Sequence, residues 1–436
     1  MKRSFTRLLS LSWMAVLAGC ATYRPMPLPD QPPAPASFST EGPLSLADID
    51  RRVLLSDPEL VSVRAQRRVA RAQLLQAGLL PNPVVGGNLG YLMSGTGDAT
   101  AWTASISQDV QALVTWRPRH EAARAQAEQV DASLLWQEWQ TLGKAHLLAV
   151  DISEGQRELS VRQAMLALSQ ALDAKLGDSL AQGDVELAVA GTSRAATRDA
   201  QATVDDLRRQ LLSQRRQLAA MMGLAPDTVL WLRMSTQGDA HDCSGVDGQL
   251  ERLQDRRPDL VALQLGYHAQ EAQLRAAVLA QFPTLSFGVA EAQDNSRVRN
   301  GGPSISLSLP LFDRNQGHVA IERATRQQLY DEYVARLRQA RDEVALLRSQ
   351  CMLARAQRDA LEPERLQARQ QADTALAAWQ AGLLDRRAYV DLMTTATARE
   401  IAAIALDRTM LEQHAALETL LGSGMPETLP EMAEIP

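Results

Sequence analysis

The sequence is poor in aromatic residues and in long apolar runs. Aromatic side chains make up 4% of the 436 residues, although hydrophobic residues reach 45%. This composition favours long helices packed through Ala and Leu over a sandwich or a large α/β core. After the first 19 residues, no apolar run reaches the ~18 residues that indicate a membrane-spanning helix. If the chain crosses a membrane, we therefore expect it to do so with strands.

Arrangements of residues that carry catalysis, bind metals or hold nucleotides are also missing. The six histidines are scattered, and the sequence has no Cys-x-x-Cys, no Walker A loop and no G-x-S-x-G. His120 and His318, at similar places after strand-like segments, are interpreted as helix-entry residues. The net charge is −6, and no basic cluster is interleaved with aromatic residues. We expect no enzyme, no metal site, no dissociable cofactor and no nucleic-acid partner.

Three cysteines are present, and the first follows a secretory signal. Residues 1–19 join the basic "MKRSFTR" to an apolar run and end before Cys20 in "LAGC". This ending resembles the bacterial lipoprotein box, which implies a covalent lipid on Cys20 and, because Ala21 follows, sorting to the outer membrane. Ordinary secretory cleavage near Cys20 is the alternative. Cys243 and Cys351 are expected to be unpaired thiols.

The mature chain is predicted to begin with a tether and to continue as two repeats. Residues 23–43 contain seven prolines, a composition that gives an extended, semi-rigid segment. Further on, "DPELV" at 57–61 matches "RPDLV" at 257–261, and Pro83 matches Pro283. The predicted domains are a signal peptide (1–19), the tether (20–43), repeat 1 (44–235), repeat 2 (236–425) and a C-terminal tail (426–436).

Each repeat is predicted to contain a helix, two strands, a long helix, a tight turn and a shorter helix. The apolar positions of the long helices recur at mixed three- and four-residue steps, which is typical of coiled-coil packing. Pro363 is expected to kink the second long helix. The predicted helices are 44–79, 117–177 and 184–222, then 247–280, 315–379 and 385–421; the strands are about 84–93, 100–110, 284–293 and 303–311.

The strands alternate apolar residues with small or hydroxyl residues. In "PSISLSLPL", Ile305, Leu307, Leu309 and Leu311 alternate with serines. Strands survive in hydrocarbon only when a closed barrel satisfies their backbone groups, and such strands alternate between lipid-facing and lumen-facing side chains. Four strands are too few, since the smallest membrane barrels have about eight. Several copies must therefore contribute, and three copies would supply twelve strands.

The chain resembles the outer-membrane efflux proteins of the TolC type. The resemblance is carried by the doubled plan and by "RRPDL" (256–260), "PSISLSLPLFDRNQG" (303–317) and "WQAGLLDRRAYVDL" (379–392). "PLFDRNQG" and Pro363 are similar to the heavy-metal, CzcC/CusC-like branch. The resemblance implies a mainly α homotrimer in which a twelve-stranded β-barrel in outer-membrane lipid continues into a long α-helical barrel in the periplasm. It also implies a passive exit duct that works with a periplasmic adaptor and an inner-membrane transporter of the RND type.

The two helix tips are the functional sites that the resemblance implies. Asp391 matches one of two aspartate rings that constrict the duct in some members of the family, while Ala388 stands where the other ring would lie. The alternative, that Asp391 faces solvent or pairs with Arg387, remains open, as does a structural or adaptor-like coiled-coil periplasmic lipoprotein for the whole chain. The candidate gate residues are Asp385, Arg386, Arg387 and Asp391, and the candidate adaptor contacts are Gln182, Gly183, Asp184, Ala381, Gly382 and Leu383.

Overall fold

The structure is a computed structural model that describes residues 23–30, 42–233 and 247–422. The chain divides into two compact units, residues 1–37 and residues 38–436. In the first unit, residues 23–30 are exposed and have no regular secondary structure. Several predictions lie outside the described residues: the signal peptide, Cys20, Cys243, the repeat boundary at 235–236 and the tail at 426–436.

The first half of the second unit begins with two helices where the sequence predicted one. Ser45 and Asp48 form a capping box that starts the first helix. Asp57 then ends it and caps the next helix, whose first residue is Pro58; proline suits that position because its missing N–H would have no helical partner there. The elements are α1 (Leu46–Ser56), α2 (Pro58–Gly78), β1 (Val84–Gly90), β2 (Ala101–Asp109), α3 (Val110–Gln182) and α4 (Leu187–Met221).

The second half follows the same order of elements. The predicted helix 247–280 is again divided, because Pro258 starts a new helix after Arg257. The long helix α8 contains 65 residues and runs through Pro363 without a break. The elements are α5 (Asp247–Leu250), α6 (Leu253–Arg256), α7 (Pro258–Leu279), β3 (Leu285–Gln293), β4 (Arg299–Leu307), α8 (Gln316–Gln380) and α9 (Arg386–Leu421).

Helix α3 is the longest element and starts directly at the end of β2. It contains 73 residues and so measures about 110 Å at 1.5 Å per residue. The Asp109 side chain accepts a hydrogen bond from the Ala112 N–H and caps the helix. The helix therefore begins seven residues before the predicted start at 117, and Pro118 lies inside it. None of the described helices is long and apolar enough to span a membrane.

The four strands form one antiparallel sheet in the order β1-β2-β3-β4. The register aligns Val85 with Ile106, Ile106 with Val289, and Val289 with Pro303. Among the described residues, the outer edges of β1 and β4 pair with no strand.

The two faces of this sheet differ in chemistry. We call the first the apolar face, because most of its large side chains are apolar; polar residues on it are Gln108 at one end and Glu291, Gln293 and Arg299 towards the β3–β4 turn. The apolar members that are at least half exposed are Val85, Leu89, Ile106, Phe287, Val289, Ile305 and Leu307. The opposite face, the small-residue face, carries mainly Gly, Ala, Ser, Thr and Asn, such as Ser105, Ala290 and Ser304. The predicted alternation therefore places its apolar members on one face of a real sheet.

The fourth strand lies four residues earlier than predicted, and this part of the prediction was wrong. Strand β4 covers Arg299–Leu307, so Leu309 and Leu311 fall beyond it. Its position follows from pairing with β3, because Arg299 lies opposite Gln293 and Leu307 lies opposite Leu285. The ladder stops soon afterwards, since Pro310 has no N–H to donate.

The helices pack around α3 and around the middle of α8. One core cluster joins Ile49 and Val53 of α1 to Ala145 and Ile152 of α3 and to Leu218 of α4. A second cluster joins Leu253 and Leu260 to Val344 of α8 and to Leu417 and Leu421 of α9. Burial of these side chains supplies the main driving force for docking the helices, at about 25 cal/mol per Å² of apolar surface.

A fully buried arginine lies at the helix break in the "RRPDL" motif. The Arg257 side chain is 0% exposed and its guanidinium lies 4.8 Å from the centre of the Trp136 ring. Its Nε donates to Asp259 Oδ1 at 2.9 Å, and its Nη2 lies 3.5 Å from Glu343 Oε2. Arg336 donates to the second Asp259 oxygen at 2.8 Å. Arg257 thus links α3, α7 and α8 through one charged network.

The state of the cysteines differs from the expectation. Cys351 lies inside α8, is 2% exposed and is disulfide-bonded, so the expectation of an unpaired thiol there was wrong. The other two cysteines of the chain, Cys20 and Cys243, lie outside the described residues.

Candidate functional site

The first helix tip is a tight turn between α3 and α4. Gly183 has φ +82°, a left-handed conformation that glycine adopts at little cost. Its N–H donates to the Leu180 carbonyl at 3.1 Å, and the Asp184 N–H donates to the Ser179 carbonyl at 3.0 Å. Gln182, Gly183 and Asp184 are all exposed. The three residues predicted as adaptor contacts therefore form one accessible turn.

The second tip joins α8 to α9 with similar geometry. Gly382 has φ +73°, and the Leu383 N–H donates to the Ala378 carbonyl at 2.8 Å. Ala381, Gly382 and Leu383 are exposed, and Leu383 is 83% exposed despite its apolar side chain. Asp385 begins α9 as its N-cap, since its side chain accepts from the Ala388 N–H at 2.9 Å.

A cleft of about 450 Å³ beside these tips separates the two helical hairpins. Leu172 of α3 and Val189 of α4 line one side, and α9 lines the other with Arg386, Arg387 and Asp391. The structure thus brings three of the four predicted gate residues to one cleft, while Asp385 caps α9 nearby. Among the residues described, none of these four forms an ion pair.

An aromatic cluster next to this cleft was not predicted from the sequence. The Trp379 and Tyr389 rings stack with centroids 4.8 Å apart and planes 1° from parallel. The Lys175 ammonium, from α3, lies 5.3 Å from the Trp379 ring centre. Burial raises the pKa of Tyr389, which is 2% exposed. The cluster ties α8 to α9 and brings the first hairpin into contact with the second.

The described residues contain no group of three or more His, Cys, Asp or Glu side chains that could hold a metal ion. Two clefts lie between helices further from the tips: Gln126 and His318 line one, and Ser133 and Gln339 line the other.

Comparison with known proteins identifies the relatives of this arrangement. The profile of the family described as "Outer membrane efflux protein" matches residues 250–423. The outer membrane protein OprJ of Pseudomonas aeruginosa is 28% identical over 167 residues, which cover 36% of this chain and 35% of OprJ. The match therefore spans about a third of that relative.

Solved structures share the fold over nearly the whole chain. The outer membrane protein VceC of Vibrio cholerae superposes with a TM-score of 0.71 at 18% identity, over 86% of this chain and 96% of VceC. CusC, described as a transmembrane channel, gives a TM-score of 0.70 at 17% identity, over 91% and 99%. These values are nearly equal, so the comparison does not single out the CusC branch.

Proposed function

We propose that this chain, which matches the outer membrane efflux family over residues 250–423, is the outer-membrane exit duct of a tripartite efflux or secretion system. The observation that supports this most directly is the sheet described above. Its apolar face is exposed, its small-residue face is mainly Gly, Ala, Ser, Thr and Asn, and its two edge strands pair with no further strand of the described part of the chain. An exposed apolar surface of this extent requires a partner or lipid, and strands with free backbone groups tolerate lipid only in a closed sheet.

The proposed assembly is a homotrimer. In it, β4 of one copy pairs with β1 of the next, and twelve strands close into a barrel whose apolar face meets the outer-membrane lipid. The helices of three copies then form an α-helical barrel that extends into the periplasm. The free edges of β1 and β4 support this closure because identical copies related by rotation satisfy both edges at once.

The helix tips are proposed to face the other components of the pump. Their accessible turns, at Gly183 and Gly382, would contact a periplasmic adaptor, which connects the duct to an inner-membrane transporter of the RND type. The transporter supplies the energy, and the duct is passive and has no enzymatic activity. "PLFDRNQG" and Pro363 support heavy-metal cations as the cargo.

Anchoring through Cys20 is also part of the proposal. Cys351 forms a disulfide, and the chain has three cysteines. If the Cys20 sulfur carries a lipid, Cys243 is the cysteine left to pair with Cys351. The intact mass of the mature protein, measured with and without reduction, tests both assignments together. A mature protein without the added mass of a lipid, or one in which an unmodified Cys20 forms the disulfide with Cys351, would contradict these assignments.

The duct is tested on the full-length protein purified from outer membranes in mild detergent. Chemical crosslinking should yield a trimer that dissociates on heating, and the trimer should pass ionic current in a planar lipid bilayer. A structural or adaptor-like coiled-coil lipoprotein would instead carry no current. A monomer without conductance would therefore refute the duct.

The tip cluster provides a specific prediction about gating. Replacing Lys175 with Met keeps the length of the side chain but removes the cation from the Trp379 ring. Contacts of this kind contribute about 0.5–1 kcal/mol at exposed sites, so each copy should separate its hairpins about two- to fivefold more often. We expect a higher open probability in single-channel recordings, and the same direction of change for Arg387→Ala and Asp391→Ala.

The matched control is Lys144→Met, which changes a lysine of the same helix far from the tip. If the three tip variants behave like this control, the tip residues do not hold the gate.

A further inference from the structure

The two helical hairpins, α3–α4 and α8–α9, meet along a contact between α3 and α9 that we call the hairpin seam. At its upper end, the Trp139 Nε1 donates to the Thr419 carbonyl at 2.9 Å. Gly143 faces the Thr419 side chain so closely that an added Cβ would lie 2.5 Å from its Oγ1. The other end reaches the tip cleft, which Leu172 of α3 and Asp391 of α9 both line. A change in the middle of the seam therefore affects the same α3–α9 interface that holds the two hairpins together near the tip.

The middle of the seam collects four carboxylates. Asp151 and Glu154 come from α3, and Asp407 and Glu412 come from α9. Glu154 is 1% exposed, and Arg157 donates to it at 2.5 Å and lies 3.6 Å from Asp407 across the seam. Arg358 of α8 donates to Asp407 at 2.7 Å but also binds Glu362. The arginines thus neutralise Glu154 and Asp407 most directly.

Asp151 and Glu412 lack comparable neutralisation. Among the described residues Asp151 forms no ion pair, and it accepts a hydrogen bond from the neutral Gln214 amide of α4 at 3.1 Å. Glu412 lies opposite it in the seam, because Gly143 faces Thr419 on one side of this pair and Arg157 reaches Asp407 on the other. Glu412 forms an ion pair with Arg408 of the same helix, at 3.6 Å. Two ionised carboxylates have no hydrogen to share, so a hydrogen bond between them requires a proton on one of the two.

We infer that Asp151 and Glu412 share one proton in the hairpin seam, so that the contact between the two hairpins strengthens on the acidic side of neutrality and weakens on the alkaline side. The geometry that carries this inference is the position of two carboxyls from different hairpins opposite each other, with the Gln214 amide bound to one and the Arg408 guanidinium 3.6 Å from the other. Its meaning for gating rests on the proposed function, whereas the shared proton itself does not.

The titration of the groups agrees with this geometry. Burial, the hydrogen bond to Asp151 and its charge raise the pKa of Glu412 to about 7. Burial also raises the pKa of Glu154, although the charge of Arg157 opposes the change. A carboxyl whose pKa is raised by folding stabilises the fold fully below its unfolded value, near 4.5, and this contribution is lost as the pH rises through the folded value.

Other titratable groups lie near the seam and have to be separated from this pair. On the first hairpin and α1 they include His146, whose Nε2 lies 2.5 Å from Asp50 Oδ1; on α9 they include His414, whose Nε2 lies 3.4 Å from Glu418 Oε1. The hydrogen bond from His414 lowers the pKa of Glu418, which is opposite in sign to the change at Glu412. Substituting Glu412 and Asp151 individually isolates the proposed pair from these histidines.

The test measures the thermal unfolding midpoint of the detergent-purified full-length protein between pH 5.5 and pH 8. We expect the wild-type midpoint to fall as the pH rises through this range. Glu412→Gln and Asp151→Asn should each remove most of this fall, and the double variant should remove no more than either alone, because the two groups hold one proton between them. The matched control, Glu400→Gln, removes a carboxylate of α9 that Arg365 already pairs, at 2.8 Å.

A spectroscopic readout keeps the inference testable if a variant folds poorly. Infrared difference spectra of the wild-type protein between pH 5.5 and pH 8 should show a protonated carboxyl band that Glu412→Gln loses and Glu400→Gln retains. An unchanged band, or equal pH dependence of unfolding in the wild type and in Glu412→Gln, would overturn the shared proton. Neither measurement needs conductance, so failure of the duct and failure of the shared proton give different results.

Single-channel recordings at different pH values then test whether protonation in the seam changes the open probability of the duct. If the duct conducts, the wild-type open probability should rise from pH 6 to pH 8, and Glu412→Gln should flatten the profile. If this substitution leaves the pH profile unchanged, the seam does not control channel opening. The infrared spectra then decide separately whether Asp151 and Glu412 share a proton.

Discussion

An Ile305→Arg variant is expected to lose the ability to accumulate in the outer membrane. Ile305 is 68% exposed on the apolar face, opposite Phe287 of β3, which is also apolar and exposed. Arginine or lysine on the lipid side of a membrane strand costs about 2–4 kcal/mol near the midplane, which corresponds to a ~30-fold or larger loss of correctly inserted protein per copy. Fractionation followed by quantification of the heat-dissociable trimer measures the effect.

The neighbouring residue supplies a matched control. Ser306→Arg places the same side chain one position further along β4, on the small-residue face. In the proposed barrel this face lines the water-filled interior, which tolerates charge. We expect near-normal amounts of trimer with altered conductance. Equal losses for both variants, or normal assembly of Ile305→Arg, would contradict the assignment of the apolar face to lipid.

Arg257→Ala is expected to lower the free energy of unfolding by about 3–5 kcal/mol, the cost typical of breaking a buried ion pair by removing one partner. The substitution leaves Asp259, whose side chain is 12% exposed, with Arg336 as its remaining cationic partner. It also opens a void against the Trp136 ring. The measurement is the denaturant midpoint of the purified protein, followed by tryptophan fluorescence.

Arg256→Ala is the control for this variant, since it removes the adjacent arginine of the same motif. Arg256 is partly exposed and forms no ion pair with any described residue, so we expect a change within about 0.5 kcal/mol. A loss of stability in Arg257→Ala no larger than in this control would show that the buried network contributes little. Arg257→Lys should remain destabilised, because an ammonium cannot reproduce the planar fork of contacts.

The strands show which parts of the sheet could be predicted from the sequence. The alternation of residues such as Trp102 and Ile106 with Ser105 predicted two strands per half, and the register places these residues on the expected faces. The position of β4 was not readable, because its first residues, "RNGG", carry no alternation. Only pairing with β3 brings them into the strand, and pairing is a contact between distant segments.

The helices show a similar division. Glycine predicted both tip turns because it adopts the left-handed conformation found at Gly183 and Gly382 more readily than other residue types do. The break before Pro58 carried a local signal, an Asp–Pro pair at a helix start, which the prediction of one continuous helix overlooked. The stacked Trp379 and Tyr389 also flank the tip glycine in sequence, and this spacing could have indicated their contact.

The hairpin seam had no comparable signal. Asp151 and Glu412 are separated by most of the chain, and each resembles any other acidic residue on the exposed side of a helix. Their meeting depends on the relative register of α3 and α9, which contacts such as Trp139 with Thr419 determine. Local patterns do not specify such a register, because many alignments of two Ala- and Leu-rich helices bury similar apolar area.

The two long helices differ in how they leave the sheet, and this difference has a mechanical consequence. Helix α3 continues β2 with no intervening residue, whereas residues 308–315 separate β4 from α8. Because α3 is a continuous helix of about 110 Å that starts directly after the last residue of β2, a rotation of the sheet moves the whole length of the helix. The second hairpin follows β4 through a connection of eight residues, so its base is coupled to the sheet less directly than the base of α3 is. We therefore expect that when the helix tips move apart, α8 and α9 bend first while α3 keeps its orientation relative to the sheet.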